Sequence, residues 1–251
     1  MLSRRLRLWI ISVGLCLVVL ASLGSVVAWA LASSTPQWWR TVHHDEDARQ
    51  IARTVENAVV TEMNLVRPTD PAYKPSPDDP AWTSARWGVV LDAGDANAWL
   101  NNRFPQWLAN QSDGFGWPEE LPEVQVDFDD GQIRLGVRVE ANGKSRFFWA
   151  TLVPDFDADG SLWMRARWVH LGRLPVPASW VLGSARNHVD RYIPTEILGL
   201  PETHLLIDAI SGMNPAAESP AVRIPDGRRV RLLSIDPERG RLRLTCRTEL
   251  D

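Results

Sequence analysis

Residues 8–31 form an apolar run without a charged side chain. As a helix, the run would span roughly 36 Å at about 1.5 Å per residue, which is enough to cross a hydrocarbon core of about 30 Å with some tilt. The chain after residue 32 is polar enough to fold in water. We therefore predict a transmembrane helix over residues 8–31, through which the protein contacts a membrane.

The charges beside the run predict its orientation. Arg4, Arg5 and Arg7 precede it, and the nearest basic residue after it is Arg40. Because positive charge stays on the cytoplasmic side, residues 1–7 are expected in the cytoplasm and the body of the protein outside it. This predicts a single-pass protein of the cell inner membrane with an extracytoplasmic C-terminal domain.

A cleaved signal peptide is the alternative interpretation. Ala30-Leu31-Ala32 before Ser33 has the small-x-small pattern that a signal peptidase recognises. The apolar part of a signal peptide typically has about 7–15 residues, and the longer run found here favours a retained anchor. In both cases the body of the protein is exported.

The composition of the chain excludes some classes of protein. About 220 residues follow the run, which suits one large or two small domains. The net charge of −4 includes the N-terminal arginines, so the body is more acidic still and lacks the basic character of a nucleic-acid binder. Cys16 and Cys246 lie far apart in the chain and predict no disulfide framework. No residue pattern indicates a cofactor.

Helical periodicity marks the first part of the body. Apolar residues at 3.6-residue spacing, which include Val59 and Met63, predict an amphipathic helix over residues 45–63, after a juxtamembrane linker over residues 32–44. A short strand over residues 87–92 is expected next. The following helix is predicted to be capped by Asp92 and to be kinked or split by Pro105.

From residue 123 the apolar period changes to two, which is typical of strands. Four strands joined by short turns, including Asn142-Gly143, predict an antiparallel meander. Pro177 suits the first turn of a further helix. The expected fold class is therefore α+β, with an exported domain over residues 45–212, and residues 213–251 are expected to form a linker and a terminal β-hairpin.

Three short motifs follow the apolar run. Residues 95–100 match D-x-N-x-W-L, residues 159–162 are D-G-S-L, and residues 171–177 contain G-x-L-P-x-P. In this order they resemble a group of single-pass bacterial membrane proteins of unknown function, and more loosely the chain is similar to the YpmS-like family. The resemblance covers most of residues 1–200 and brings no catalytic residues. It implies an envelope location and a curved sheet packed on helices, as in lipid-handling proteins, although the tryptophan content and the C-terminal hairpin depart from that family.

Two polar clusters have the residue types of a metal site. The first lies at the predicted start of a helix and contains His43, His44, Asp45 and Asp47. A solvated helix start explains it better than a metal. The second has the spacing of the first half of a calcium loop and contains Asp155, Asp157 and Asp159. Ala166 stands where such a loop requires a bidentate Glu, so a hairpin turn is favoured and no metal site is predicted.

The remaining histidines do not predict catalysis. They are His170, His188 and His204. None has a nucleophile at a recognisable spacing, and the common hydrolase and metalloprotease motifs are absent from the sequence. We therefore predict no catalytic residues.

The tryptophans are the best functional indication in the sequence, which has 13 of them against two tyrosines. Six recur on faces that the periodicity predicts to be buried: Trp99, Trp107, Trp149, Trp163, Trp168 and Trp180. They either fill the core, as aromatic side chains commonly do, or line an apolar groove between sheet and helices. Phe148 and Trp149 point to opposite faces of one strand, so a second contact surface, either helices or a partner, is expected there.

These observations favour a non-enzymatic, membrane-anchored module that binds an apolar, lipid-like ligand or an envelope protein. A hydrolase or transferase that acts on envelope lipid or glycan, using scattered Asp and His residues, is an alternative. A structural scaffold subunit of a membrane complex is a third interpretation.

Overall fold

The computed structural model of the chain describes residues 21–74, 80–111, 117–141, 143–177 and 208–250. The helices are α1 (described over 21–32), α2 (Glu46–Asn64), α3 (Ala93–Asn102) and α4 (Phe104–Gln111), and a short helical turn covers 208–211. The strands are β1 Trp82–Thr83, β2 Trp87–Asp92, β3 Glu123–Asp129, β4 Gln132–Ala141, β5 Lys144–Phe156, β6 Leu162–Leu171, β7 Leu174–Val176, β8 Ala221–Arg223, β9 Arg229–Glu238 and β10 Arg241–Leu250. The predicted α+β class is confirmed.

Strands β3 to β7 form an antiparallel sheet in the order of the chain, which we call the meander sheet. The predicted four-stranded meander is confirmed, and β7 adds a fifth strand at its edge. Gly131 and Gly143 lie in the first two turns with φ of 72° and 68°, a conformation that glycine adopts without steric cost.

The remaining strands form a second antiparallel sheet, which we call the terminal sheet. The predicted C-terminal hairpin is confirmed as β9 and β10. Strand β10 also pairs with β2 over six residue pairs, from Arg241–Asp92 to Cys246–Trp87. Strands β8 to β10 therefore share a sheet with β1 and β2 from the predicted domain over 45–212, a pairing that local periodicity did not predict.

The core lies where the two sheets and α3 meet. Its buried members are Ala93, Ala96, Phe128, Ile133, Ala150 and Leu152. The β3–β4 and β9–β10 hairpins are hydrogen-bonded to each other beside the core. Gly131 N donates to Pro237 O at 2.9 Å, and Gly240 N donates to Phe128 O at 2.9 Å. These contacts hold the turn between β3 and β4 against the terminal sheet.

The helices begin and break close to the predicted positions. The Asp45 carboxylate accepts a hydrogen bond from Ala48 N and caps α2. The predicted kink or split is observed as a split at Arg103, with Pro105 in the first turn of α4. Asp92 is the N-cap residue of α3, as predicted, but its side chain makes no capping hydrogen bond, because its carboxylate accepts from Arg241 Nε at 3.0 Å instead.

Helix α3 covers the edge of the meander sheet. The Asn97 side chain accepts from Val126 N at 2.7 Å and donates to Val126 O at 2.8 Å. One helical turn later, Asn101 makes the same pair of bonds with Val124. The two amides thus pair backbone groups of an edge strand that would otherwise be open to another chain. The asparagine of the D-x-N-x-W-L motif therefore has an architectural role.

The described part of α1 projects from the body, with most of its side chains exposed. Within the described residues, no helix combines the length and the hydropathy needed to cross a membrane. Residues 8–20 of the predicted span, the helix predicted from Pro177, His188 and His204 lie outside the described residues.

Candidate functional site

An apolar groove lies between helix α2 and the terminal sheet. The first half of α2 packs on α3 through the buried Ala48 and Ala52. The second half extends past α3 and carries Val59 and Met63 over the sheet without closing on it. The open space between the helix and the sheet has a volume of about 440 Å³, within the range of about 300–1,000 Å³ typical of small-molecule sites. We call it the α2 groove.

The walls of the α2 groove are almost entirely apolar. Helix α2 contributes Val59 and Met63, the terminal sheet contributes Trp87, Val89, Leu91, Val230, Leu232, Leu244 and Cys246, and the segment before and within β8 contributes Ala217, Ser219, Pro220, Ala221 and Val222. Apart from the thiol and the indole N–H, Ser219 brings the one polar side chain to this lining. The groove thus suits a hydrocarbon chain better than a polar substrate.

Strand register places these side chains together. Leu244 pairs with Val89 and Cys246 with Trp87, so both pairs point to the same face of the sheet. The residues between them, Gly88 and Thr245, point to the opposite face. The apolar wall therefore follows from period-two alternation in β2 and β10 and from their pairing.

Arg67 lies beside Trp87 at one side of the groove. Its guanidinium stacks over the Trp87 ring at 3.8 Å and donates to the Glu62 carboxylate at 2.7 Å. Trp87 Nε1 donates to Thr248 Oγ1 at 3.2 Å. Burial lowers the pKa of Arg67, and the neighbouring Glu62 carboxylate opposes that shift. These bonds fix the indole as a rigid part of the wall.

Cys246 is buried at the floor of the groove. Burial raises the pKa of its thiol to about 11, and the nearby Arg67 opposes the shift only in part. The side chain is therefore a neutral thiol at physiological pH and behaves as a small apolar residue.

The structure separates the predicted groove tryptophans from the α2 groove. Trp99 and Trp107 contact Phe104 at ring distances of 5.4 and 6.1 Å, and Phe104 also contacts Trp117 at 5.7 Å. Arg165 lies 4.5 Å above the Trp163 ring. The prediction of buried faces is wrong for Trp107 and Trp168, which are 47% and 46% exposed. Trp180 lies outside the described residues.

Trp149 belongs to an aromatic cluster on the outer face of the meander sheet. Its ring stacks on His170 at 3.6 Å and meets the edge of Trp38 at 5.8 Å. Trp39 contacts Phe147 at 5.0 Å. The second contact surface expected at Phe148 and Trp149 is therefore formed by the chain itself, from the segment predicted as a juxtamembrane linker.

Gly136 makes this packing possible. A Cβ at Gly136 would lie 2.9 Å from the Cβ of Trp149, 2.9 Å from the Trp39 ring and 3.1 Å from the Trp38 ring. The next residue of the segment, Arg40, exchanges two hydrogen bonds with the fully buried Gln125 side chain. Residues 38–40 can therefore pack closely on the meander sheet because Gly136 leaves β4 without a side chain at this point.

The predicted polar clusters lie at the start of α2 and around the turn between β5 and β6. His43, Asp45 and Asp47 line a second, more polar cavity of about 360 Å³ between α2 and α3. Asp159 accepts from Ser161 N at 2.9 Å, which lowers the pKa of its carboxyl. Within the described ranges, no group of three or more His, Cys, Asp or Glu side chains is placed to hold a metal ion.

Comparisons with known proteins add no relative, since the chain matches no family model, no curated protein and no solved structure.

Sequence reasoning identified Val59 and Met63 as part of the apolar face of α2, but it missed the sheet side of the α2 groove. One signal was present in the sequence. The alternating apolar residues of β2 and β10 leave one face of each strand in need of cover.

Proposed function

We propose that this protein is a membrane-anchored binding module that holds the hydrocarbon chain of a lipid-like ligand in the α2 groove. The observation that carries the proposal is the groove itself, an open space of about 440 Å³ with an almost wholly apolar lining. Apolar walls left in water are unfavourable, and a hydrocarbon chain that fills them gains about 25 cal/mol for each Å² removed from water.

We further propose that residues 8–31 anchor the module in the cell inner membrane, with the N-terminus in the cytoplasm and the folded domain outside. The exposed apolar side chains of α1 support this location, since Leu23, Val26 and Trp29 are 58%, 63% and 68% exposed. Ala32 is buried against the body, so cleavage after it would fall within a packed turn.

The proposal is tested by filling the groove from one strand. Val89→Trp places an indole in the α2 groove, and Val90→Trp places the same side chain on the opposite, solvent-facing side of β2, where Val90 is 48% exposed. Each detergent-extracted protein is then examined by native mass spectrometry. We expect a lipid adduct on the unaltered protein and on Val90→Trp, and loss of the adduct on Val89→Trp.

Two outcomes contradict ligand binding in this groove. One is a clean, unliganded mass for the unaltered protein extracted under the mildest conditions that keep it folded. The other is an adduct that survives Val89→Trp at full occupancy, which would place the ligand elsewhere. Thermal unfolding of both variants shows whether the fold is intact, and we expect both to stay within about 1 kcal/mol of the parent protein.

A further inference from the structure

The C-terminal end of α1 is fixed to the turn between β6 and β7. Arg173 N donates to Leu31 O at 2.8 Å, and Arg173 Nε donates to Thr35 O at 2.8 Å. Gly172 has φ of 57°, and a Cβ there would lie 2.5 Å from Leu31 O, 2.6 Å from Ser34 O and 2.7 Å from Ala32 O. The helix therefore meets the body without a free linker.

These contacts define the direction in which α1 leaves the body. Backbone carbonyls of an α-helix point along its axis towards the C-terminus, and those of Leu31 and Ala32 point at the turn. The C-terminal end of α1 therefore lies against the β6–β7 turn, so α1 leaves the body from that end of the meander sheet. We call this end, which contains Gly172, the anchor end.

The hairpin between β4 and β5 extends furthest at the anchor end. Leu171, the last residue of β6, pairs with Phe148, whereas the β4–β5 ladder continues to the pair of Ala141 and Lys144. Four more residues of strand correspond to roughly 13 Å at about 3.3 Å per residue. The hairpin tip therefore passes the end of β6 on the side from which α1 projects.

The last turn of α1 indicates where the membrane surface would lie. Trp29 is strongly exposed, and tryptophan favours the head-group layer of a bilayer. Three residues of helix, about 4.5 Å, separate Trp29 from Ala32. Measured along the strands, the overhang of the hairpin is longer than that distance. Lys144 is exposed at this tip and suits the phosphate groups of lipids.

We propose that the domain stands directly on its anchor and that the β4–β5 hairpin tip rests among lipid head groups of the same bilayer. The inference relies on the anchor half of the proposed function and adds an interaction surface to it. The opposite turn, between β3 and β4, points away from the membrane, because the ten residues of β4 separate the two turns by roughly 30 Å.

The test compares the two ends of strand β4 in the full-length protein. In a Cys16→Ser, Cys246→Ala background, Ser145→Cys labels the anchor end and Asp130→Cys labels the far end, where Asp130 is 75% exposed. Each protein carries an environment-sensitive fluorophore and is reconstituted in phosphatidylethanolamine–phosphatidylglycerol vesicles with a head-group nitroxide lipid. We expect the label at 145 to be quenched at least about twofold more than the label at 130, given their separation of roughly 30 Å.

A glycine pair tests the contact that sets this geometry. Gly172→Ala forces a Cβ against the carbonyl oxygens of Leu31, Ala32 and Ser34, whereas Gly160→Ala also places an alanine at a positive φ, 85°, but meets nothing within 4 Å. Gly172→Ala is expected to reduce the quenching at 145, and Gly160→Ala to leave it unchanged. Circular dichroism checks that both variants are folded.

The outcomes separate this inference from the anchor itself. If the protein floats with vesicles but both labels are quenched equally, or neither is quenched, the docked orientation is wrong and the anchor stands. If the protein does not float with vesicles, the anchor is wrong and the inference falls with it. The comparison of the two labels does not depend on the glycine variants. It therefore tests the docked orientation even if Gly172→Ala fails to fold.

Discussion

The two sheets differ in how closely one apolar face of each is covered by the rest of the chain. On the outer face of the meander sheet, Trp38 and Trp39 fill the space above Gly136 and Trp149. On the terminal sheet, α2 passes over Val89 and Leu244 at a distance and leaves the α2 groove. The absent side chain of Gly136 lets two indole rings pack on one sheet, whereas α2 stands off the other sheet and leaves an open apolar face, where we expect the ligand to bind.

The largest expected contrast comes from truncating one side chain on each face. Trp149→Ala removes the stack on His170 and the edge contact with Trp38, and we expect it to lower the free energy of unfolding by about 3 kcal/mol. Leu244→Ala on the groove wall creates less new cavity, because its outer side is already open, and should lower it by about 1 kcal/mol. Urea unfolding measures both. Equal losses would mean that the groove wall is packed as tightly as the aromatic cluster.

A smaller contrast is expected from adding one methyl group to each sheet. Gly136→Ala forces a Cβ against two indole rings and the Trp149 Cβ, and should destabilise the fold by about 2 kcal/mol. Gly88→Ala on β2 meets one backbone oxygen, Leu244 O, at 3.3 Å, and should change stability by less than about 1 kcal/mol. Melting temperatures of the two variants at one pH check the prediction. A neutral Gly136→Ala would show that residues 38 and 39 are not held on the sheet.

The smallest effect is a dependence of stability on pH. Burial lowers the pKa of His170, whose Nδ1 has no hydrogen-bond partner among the described residues. An unfolded imidazole titrates near pH 6.5, so the contribution of His170 is full above about that pH and falls as the pH drops towards its lowered folded value. His170→Phe keeps a ring on Trp149 and should lose less stability than the parent protein between about pH 7 and 5.

Cys246 in the α2 groove is expected to make the stability of the protein depend on pH in the alkaline range. Burial raises the pKa of Cys246 to about 11, so its contribution is full below the unfolded value of about 8.5 and is lost as the pH rises towards 11. Cys246→Ala should flatten this alkaline limb in thermal melts. If neither variant changes its limb, the two side chains are less buried in solution than in the structure.

Local pattern was sufficient for most elements of the fold. The 3.6-residue spacing predicted residues 45–63 as a helix, and α2 covers Glu46–Asn64. Alternation with the Asn142-Gly143 turn predicted β4 and β5 and their pairing. These predictions depend on neighbours in the chain, whose side chains must share a face for the element to bury its apolar side.

The candidate site was only half predictable. Val59 and Met63 were on the predicted apolar face of α2, but their partners come from β2 and β10, about 150 residues apart in the chain. The tryptophans misled because indole area suggests burial, whereas Trp107 and Trp168 lie at element surfaces. Which apolar side chains meet depends on strand pairing between distant segments, which no local period encodes.

The sequence by itself determined the apolar run, the α+β class, the meander and the terminal hairpin, because each follows from side-chain periodicity and turn chemistry within a short stretch of chain. The tertiary structure alone decided that residues 34–40 cover one sheet, that β10 joins β2, and that α2 stands off the terminal sheet. These outcomes depend on how closely two surfaces approach in space. That distance is set by side chains, such as the absent Cβ of Gly136, that come together only after folding.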